Sequence, residues 1–163
     1  MLLANKNNLK VETFSDEHWM KEALAQAKLA FDLDEVPVGA VVVYQHSIIG
    51  RGHNLKEKQR DVKAHAELIA IQQASDHLQS WRLKGCTLYV TLEPCMMCTG
   101  ALIQSRIDRI VYAVKDEKSG AIQSQLQIHK IPRLQHKPII QSGVLSAASQ
   151  TLLKQYFINK RHE

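Results

Sequence analysis

Cys95 and Cys98 stand where a short β-branched run gives way to a helical pattern, and His65-Ala66-Glu67 lies 30 residues before them. This pairing constrains the chain more than any other feature, because residues that serve one ion must be brought together by the fold. Cysteines at i and i+3 on the opening turn of a helix turn their sulfurs the same way. The positive end of that helix favours thiolate over thiol, the form a metal requires. One imidazole and two thiolates supply three ligands of a tetrahedral zinc site and leave the fourth position to water. A Cys-x-x-Cys also suits dithiol redox chemistry. The chain has three cysteines, an odd number, so a disulfide framework is not expected.

Glu67 has its own place in this arrangement. Residues i and i+2 do not share a face within a helix, so His65 and Glu67 do not both ligate one ion from a regular interior. At a helix start, Glu67 can reach toward the metal-activated water while His65 holds the metal. There a carboxylate takes a proton from water and passes it to a leaving nitrogen, and zinc lowers the pKa of that water toward about 7. A closed, purely structural site needs a fourth ligand, and Cys86, His53 and His77 are the candidates. Cys86 reads instead as a small core residue.

Around these residues the pattern alternates. Ser15 reads as an N-cap followed by Asp16 and Glu17, with Phe14 and Trp19 at the two positions of a hydrophobic staple. The stripe Trp19, Ala23, Leu24, Ala27, Ala30 and Phe31 predicts a helix over 16–31. Residues 38–44 read as a buried strand, Gln45-His46-Ser47 as a turn, and 48–52 as its hairpin partner. Further helices are predicted over 64–77, from Pro94 in the first helical position to 105, weakly over 122–129, and from a Ser146 cap to 160. Strands are predicted over 87–91, 109–114 and 139–140, with a charged loop over 115–120. Helices alternating with strands predict an α/β fold, a central sheet covered by helices. With no linker or repeat, residues 1–163 read as a single domain with a mobile polar arm over 1–13.

The charge is uneven. Residues 1–105 carry 11 basic and 12 acidic side chains, whereas residues 106–163 carry 10 and 4. A basic excess confined to the C-terminal third suits a polyanion such as nucleic acid, or a solvated basic helix. Tyr156 and Phe157, beside Lys160 and Arg161, suit stacking on single-stranded RNA and equally an apolar helix face. The longest apolar stretch, Val36 to Tyr44, is far short of the roughly 18 residues of a membrane span. Met1 to Lys10 holds too short an apolar run for a signal peptide, so a cytoplasmic address with no membrane association is expected.

His-x-Glu followed by Pro-Cys-x-x-Cys is the signature of zinc-dependent deaminases, and longer blocks narrow it. Glu35-Val-Pro-Val-Gly-Ala-Val-Val-Val43, Ala64-His-Ala-Glu-Leu68, Leu88-Tyr-Val-Thr-Leu-Glu-Pro-Cys-Met-Met-Cys98 and Gly100-Ala-Leu-Ile-Gln-Ser-Arg106 together resemble the bacterial tRNA-specific adenosine deaminases, the TadA family. The resemblance runs from about Phe14 to Phe157. It implies a three-layer α/β/α cytidine deaminase-like fold, with a central mixed five-stranded sheet flanked by helices.

The resemblance also implies an activity: hydrolytic conversion of the wobble adenosine of a tRNA anticodon to inosine, with release of ammonia. It puts one Zn2+ per subunit on His65, Cys95 and Cys98, and makes Glu67 the catalytic proton shuttle. Asn54 matches an asparagine that hydrogen-bonds the flipped base. Ala66 and Asp116 join it as substrate-binding residues, Asp116 near the nucleotide backbone. Implied partners are a tRNA anticodon stem-loop, packed near the C-terminal helix over 146–160, and a second subunit in a homodimer.

The chain departs from the family pattern after Asn54, with Leu-Lys-Glu-Lys in place of an Arg-Pro-like turn, and after Gly120, with Ala-Ile-Gln-Ser where small residues are common. Two other functions stay open. One is a small-molecule deaminase of guanine, cytosine or cytidine, against which the C-terminal basic excess counts. The other is a non-catalytic, zinc-stabilised RNA-binding module, which has no use for Glu67.

Overall fold

The structure is a computed structural model that describes residues 14–163, so the predicted arm over 1–13 lies outside the described residues. Helix α1 (Asp16–Asp32) begins as its local signals predict. The Ser15 side chain accepts from His18 N–H at 3.2 Å, and the Phe14 and Trp19 rings meet edge-on at 5.2 Å, closing the staple. Its buried face is Trp19, Met20, Ala23, Ala27 and Ala30.

Five strands form one sheet: β1 (Gly39–Tyr44), β2 (Ser47–His53), β3 (Cys86–Leu92), β4 (Arg109–Val114) and β5 (Ile139–Ser142), in the order β2-β1-β3-β4-β5. β1 runs antiparallel to both β2 and β3, while β3, β4 and β5 are mutually parallel. The sheet is therefore mixed, as expected. Helices α3 (Ala66–Leu78) and α4 (Met96–Gln104) cover one face, packing on Ala40, Val42, Leu88, Val90, Ile110 and Tyr112. Helices α1 and α5 (Ser146–Arg161) cover the other, where Val41, Val43, Tyr89, Val111 and Ala113 point. Successive residues of the central strands β1, β3 and β4 alternate between the two clusters, which is the period-2 geometry of a strand buried on both sides.

Glycine sets how closely the first helix of each layer approaches. A Cβ at Gly39 would lie 2.1 Å from the Ala23 carbonyl oxygen in α1, and one at Gly52 would lie 2.1 Å from that of Ala66 in α3. Any larger residue would push the helix, and whatever its N-terminus carries, away from the sheet.

Four local features differ from expectation. A one-turn helix, α2 (Lys56–Gln59), appears where no helix was predicted. The predicted helix over 122–129 is replaced by turns and a 3-10 turn over Ile128–Lys130, because the N–H groups of Ile122, Gln123 and Ser124 go to the Glu93 carboxylate. Pro94 precedes α4 instead of opening it: Cys95 is the N-cap, with φ −73° and ψ 177°. Likewise Leu145, at φ 52°, is the N-cap of α5, and Ser146 is its first helical residue.

Across the sheet, Arg109 clamps Asp16 with two hydrogen bonds, at 2.6 and 2.7 Å, and the Tyr89 hydroxyl donates to the same carboxylate at 2.8 Å. The Arg109 bonds outweigh desolvation and hold the Asp16 carboxyl below its ordinary value of 3.8. A depressed folded-state pKa means the stabilisation is fully present above about pH 4 and is lost as pH falls through that lower value. Asp16→Asn is expected to cost about 1–2 kcal/mol at pH 7. In denaturant titrations the gap from the unsubstituted protein should close toward pH 2; a gap independent of pH would refute the charge-assisted clamp.

Candidate active site

One end of the sheet gathers the predicted residues. β3 and β4 end there, β2 delivers Asn54, and β1 begins there just after Val38. Ligand sites of open α/β sheets form at the carboxyl ends of such strands. His65 is the N-cap of α3, in extended geometry at φ −86° and ψ 148°, and Cys95 is the N-cap of α4. Two helix N-termini thus point their positive ends at one place. An N-cap and the N3 residue three positions on are neighbours, so Cys95 and Cys98 sit side by side. His65 Nδ1 lies 3.6 Å from Cys95 Sγ and 3.5 Å from Cys98 Sγ.

These distances fit zinc. Bonds of about 2.3 Å to sulfur and 2.0–2.1 Å to nitrogen at a tetrahedral angle separate N from S by roughly 3.5 Å. Among the described residues, this trio is the one group of three His, Cys, Asp or Glu donors close enough to hold an ion. Of the possible fourth ligands, Cys86 is buried in the core and His53 Nδ1 faces Gln26 Oε1 at 3.3 Å. The electrostatics agree with a thiolate site. A hydrogen bond from Cys98, with help from His65, holds the Cys95 thiol down at about 4, which leaves Cys98 as the proton-bearing partner, its pKa pushed up. The bond to Cys95 raises the His65 imidazole. A dication among the three donors would favour both thiolates at once.

Glu67 is buried, at 4% exposure, yet borders the same pocket as His65 and Cys95. The i, i+2 objection disappears because His65 is not yet helical: the cap geometry turns its side chain toward the side that Glu67 occupies on the first turn. Burial pushes the Glu67 carboxyl up to about 7, against the pull of its own backbone N–H and of His65 and Cys98. A carboxyl balanced near neutrality can both accept and return a proton.

Asn54 lines the pocket and its side-chain oxygen accepts from Ala66 N–H at 2.9 Å. That bond satisfies the first free amide of α3 and turns the Asn54 NH2 group toward the pocket. Ala66, expected among the substrate-binding residues, does not line the pocket: its methyl is buried in the core, and its tie to the site is the N–H that Asn54 accepts. Asp116 lies at the mouth, its side chain accepting from Lys118 and Ser119 N–H at 3.1 Å each. The pocket encloses about 300 Å3, the small end of ligand sites.

Two further carboxylates were not singled out in the sequence. Glu35 accepts from Glu57 and Lys58 N–H at 3.2 and 2.7 Å, capping α2 from outside. Glu93 does the same for the loop after β4. Burial opposes its charge, but donors at Gln123, Ser124 and Asp116 prevail and hold its carboxyl low. The available signal is a glutamate one or two residues before a proline at the edge of an apolar run, in Glu35-Val-Pro37 and Leu92-Glu-Pro94. Met96 and Met97 border a separate depression with Gly120 and Leu126. Tyr156 packs against Phe31 and presents an edge to the pocket, Phe157 is 47% exposed, and Trp81 is a surface residue stacked on Arg82 at 4.1 Å.

The comparisons with known proteins agree with this geometry. Residues 14–155 match the MafB19-like deaminase family. A tRNA-specific adenosine deaminase of Bacillus subtilis is 43% identical over 142 residues, covering 87% of this chain and 88% of the relative. The chain belongs to the tRNA-specific adenosine deaminases. A solved structure from work on A-to-I editing by tRNA:A34 deaminases shares 41% identity at a TM-score of 0.81, covering 83% of this chain and 99% of that one. It carries the same fold as this deaminase, three layers about a mixed sheet. A guanine deaminase of Bacillus subtilis is 35% identical at a TM-score of 0.60, with 63% of this chain and 66% of that chain covered. The tRNA deaminases thus match this chain over more of its length than that guanine enzyme does.

Proposed function

We infer that this chain deaminates adenosine to inosine hydrolytically at the wobble position of a tRNA anticodon, releasing ammonia, with one zinc ion per subunit. The observation that carries the reading is the convergence of three metal donors, a buried carboxylate and an amide donor on one pocket of about 300 Å3. Zinc, when bound, supplies a Lewis acid that lowers the pKa of a water toward about 7. His65, Cys95 and Cys98 would hold it. Glu67 takes a proton from that water and returns one to the departing amino nitrogen. The water oxygen ends on C6 of the base as the carbonyl, its second proton ends on N1, and the 6-amino group leaves as ammonia. Asn54, its oxygen tied to Ala66, donates from its NH2 to an acceptor on the ring and orients it. Asp116 and Ser119 border the nucleotide at the mouth.

A basic and apolar groove supports RNA as the substrate. Lys118, Lys154, Lys160 and Arg161 surround Leu153, Phe157 and Ile158 along α5, next to the pocket edge formed by Tyr156. Cations beside exposed aromatics suit an unpaired strand, and an anticodon base is already unpaired, so extruding it costs little. The reading includes a single deaminase domain, the cytoplasm as its location and a homodimer. Exposed Trp81, beside Ile71 and Ala101 on the α3 and α4 side, supports self-association, which sedimentation would measure. Among the described residues, no helix is long and apolar enough to cross a membrane.

The test is a substrate panel. Zinc-loaded protein is incubated with an anticodon stem-loop, free adenosine, guanine and cytidine, and the products are separated. Inosine is expected in the RNA alone. Xanthine or uridine without inosine in the stem-loop would overturn the tRNA assignment in favour of a small-molecule deaminase.

A further inference from the structure

Glu93 follows β3 two residues before Cys95 and is 2% exposed, yet it belongs neither to the metal donors nor to the proton transfers. Its carboxylate is committed to a single loop. Oε1 accepts from the N–H groups of Ile122, Gln123 and Ser124 at 3.1, 2.7 and 3.0 Å. Oε2 accepts from Asp116 N–H at 3.0 Å and from the Ser124 hydroxyl. Gly120 lets the loop close over it: a Cβ there would fall 2.3 Å from Oε2 and 2.6 Å from the Asp116 carbonyl oxygen. The loop is also joined to the ligand segment, by Ala121 N–H on the Pro94 carbonyl at 2.9 Å and by bridge pairing of Cys95 with Gly120.

We propose that Glu93 is a positioning residue of the substrate mouth, holding loop 116–124 so that Asp116 and Ser119 stand at a set distance from the Cys95 segment. The proposal rests on the deaminase reading of the pocket. The Asp116 side chain cannot place the loop by itself, since its bonds run to Lys118 and Ser119 within the same turn. Glu93 is the side-chain link between that turn and the end of β3, beside the backbone bond from Ala121 to Pro94. The residues it holds include Ile122 to Ser124, within the stretch 121–124 where this chain leaves the family pattern, and Ser124 adds a hydroxyl donor of its own. Glutamine has the same shape but only one acceptor oxygen. Whichever way the amide turned, its NH2 would face either the three amides at one oxygen or the Asp116 amide at the other, donor against donor. A buried donor left without an acceptor would lift one end of the loop.

The test uses full-length, zinc-loaded protein and the variants Glu93→Gln, Ser124→Ala, Asp116→Ala and Glu93→Gln with Asp116→Ala. Amide hydrogen exchange at 116–124 should accelerate about 10-fold or more in Glu93→Gln, with α3 and α4 amides unchanged. Per zinc-loaded molecule, kcat/KM on the stem-loop should fall about 10–100-fold, mainly through KM. The double variant should lose no more than the worse single one, since Glu93 acts through the loop that carries Asp116. Ser124→Ala should repeat the pattern at smaller amplitude, and decides the matter if Glu93→Gln does not fold. Unchanged exchange, additive losses, or wild-type kcat/KM per zinc-loaded molecule would each overturn the proposal. Exchange needs no substrate, so a wild-type protein inert on the stem-loop would sink the deaminase reading while exchange still judged the anchor.

Discussion

Glu67→Ala is expected to keep its zinc and lose deamination of an anticodon stem-loop by about 10²–10⁴-fold or more, the contribution of a positioned acid–base group. The donors His65, Cys95 and Cys98 are untouched by the change, and their placement at the two helix starts comes from α3 and α4, not from the carboxylate. Glu67→Gln should fall as far, because an amide of the same shape cannot carry the proton. Stability should hold or rise, since the carboxylate sits in a site that burial makes unfavourable for its charge. Metal analysis, thermal melts and inosine quantification on the same samples separate these effects. Near-normal turnover would show that another group moves the protons, and loss of zinc would show that Glu67 serves the metal.

Cys98→Ala is expected to abolish both zinc retention and turnover. It removes one of three donors and leaves a set too small for a tight tetrahedral site. Zinc that binds only the folded chain stabilises it by mass action, about 4 kcal/mol at a thousandfold excess over Kd. Chelation should therefore lower the melting temperature of the wild-type protein and leave that of Cys98→Ala unmoved. Cys86→Ala provides the contrast. That thiol is buried in the core, and burial pushes it up to about 11, so it stays protonated and outside the metal set. Its loss should cost about 1 kcal/mol with full zinc content. Equal metal loss from both variants would undo the assignment of the donors.

How much was legible in the sequence depended on whether the cause was local. Helix α1 starts where predicted because Ser15, Asp16, Phe14 and Trp19 act within one turn of each other. The strands were legible for a similar reason: β-branched runs of five to seven residues are short-range patterns. Helix α2 was invisible because its first-turn amides are capped by Glu35, 22 residues earlier in the chain. Residues 122–129 have a helical composition but not a helical structure. Three consecutive amides there face Glu93, and a donor engaged by that carboxylate is not closing a helix turn. Pro94 lies two positions ahead of the first helical residue and not at it, since proline suits either the first helical position or the residue before a cap.

The candidate metal donors and Glu67 could be singled out from residue type and spacing because their chemistry is written in residue type. His, Glu and two Cys at those intervals have few other uses, and family likeness extends the reading to the substrate. What the tertiary structure decided is how those residues are held. It made His65 and Cys95 N-caps, turned the Asn54 amide toward the pocket by engaging its oxygen, and set Glu35 and Glu93 beneath the two lips of the mouth. A backbone amide carries no identity in the sequence. Which carboxylate satisfies it depends on distances that exist only once the sheet has formed.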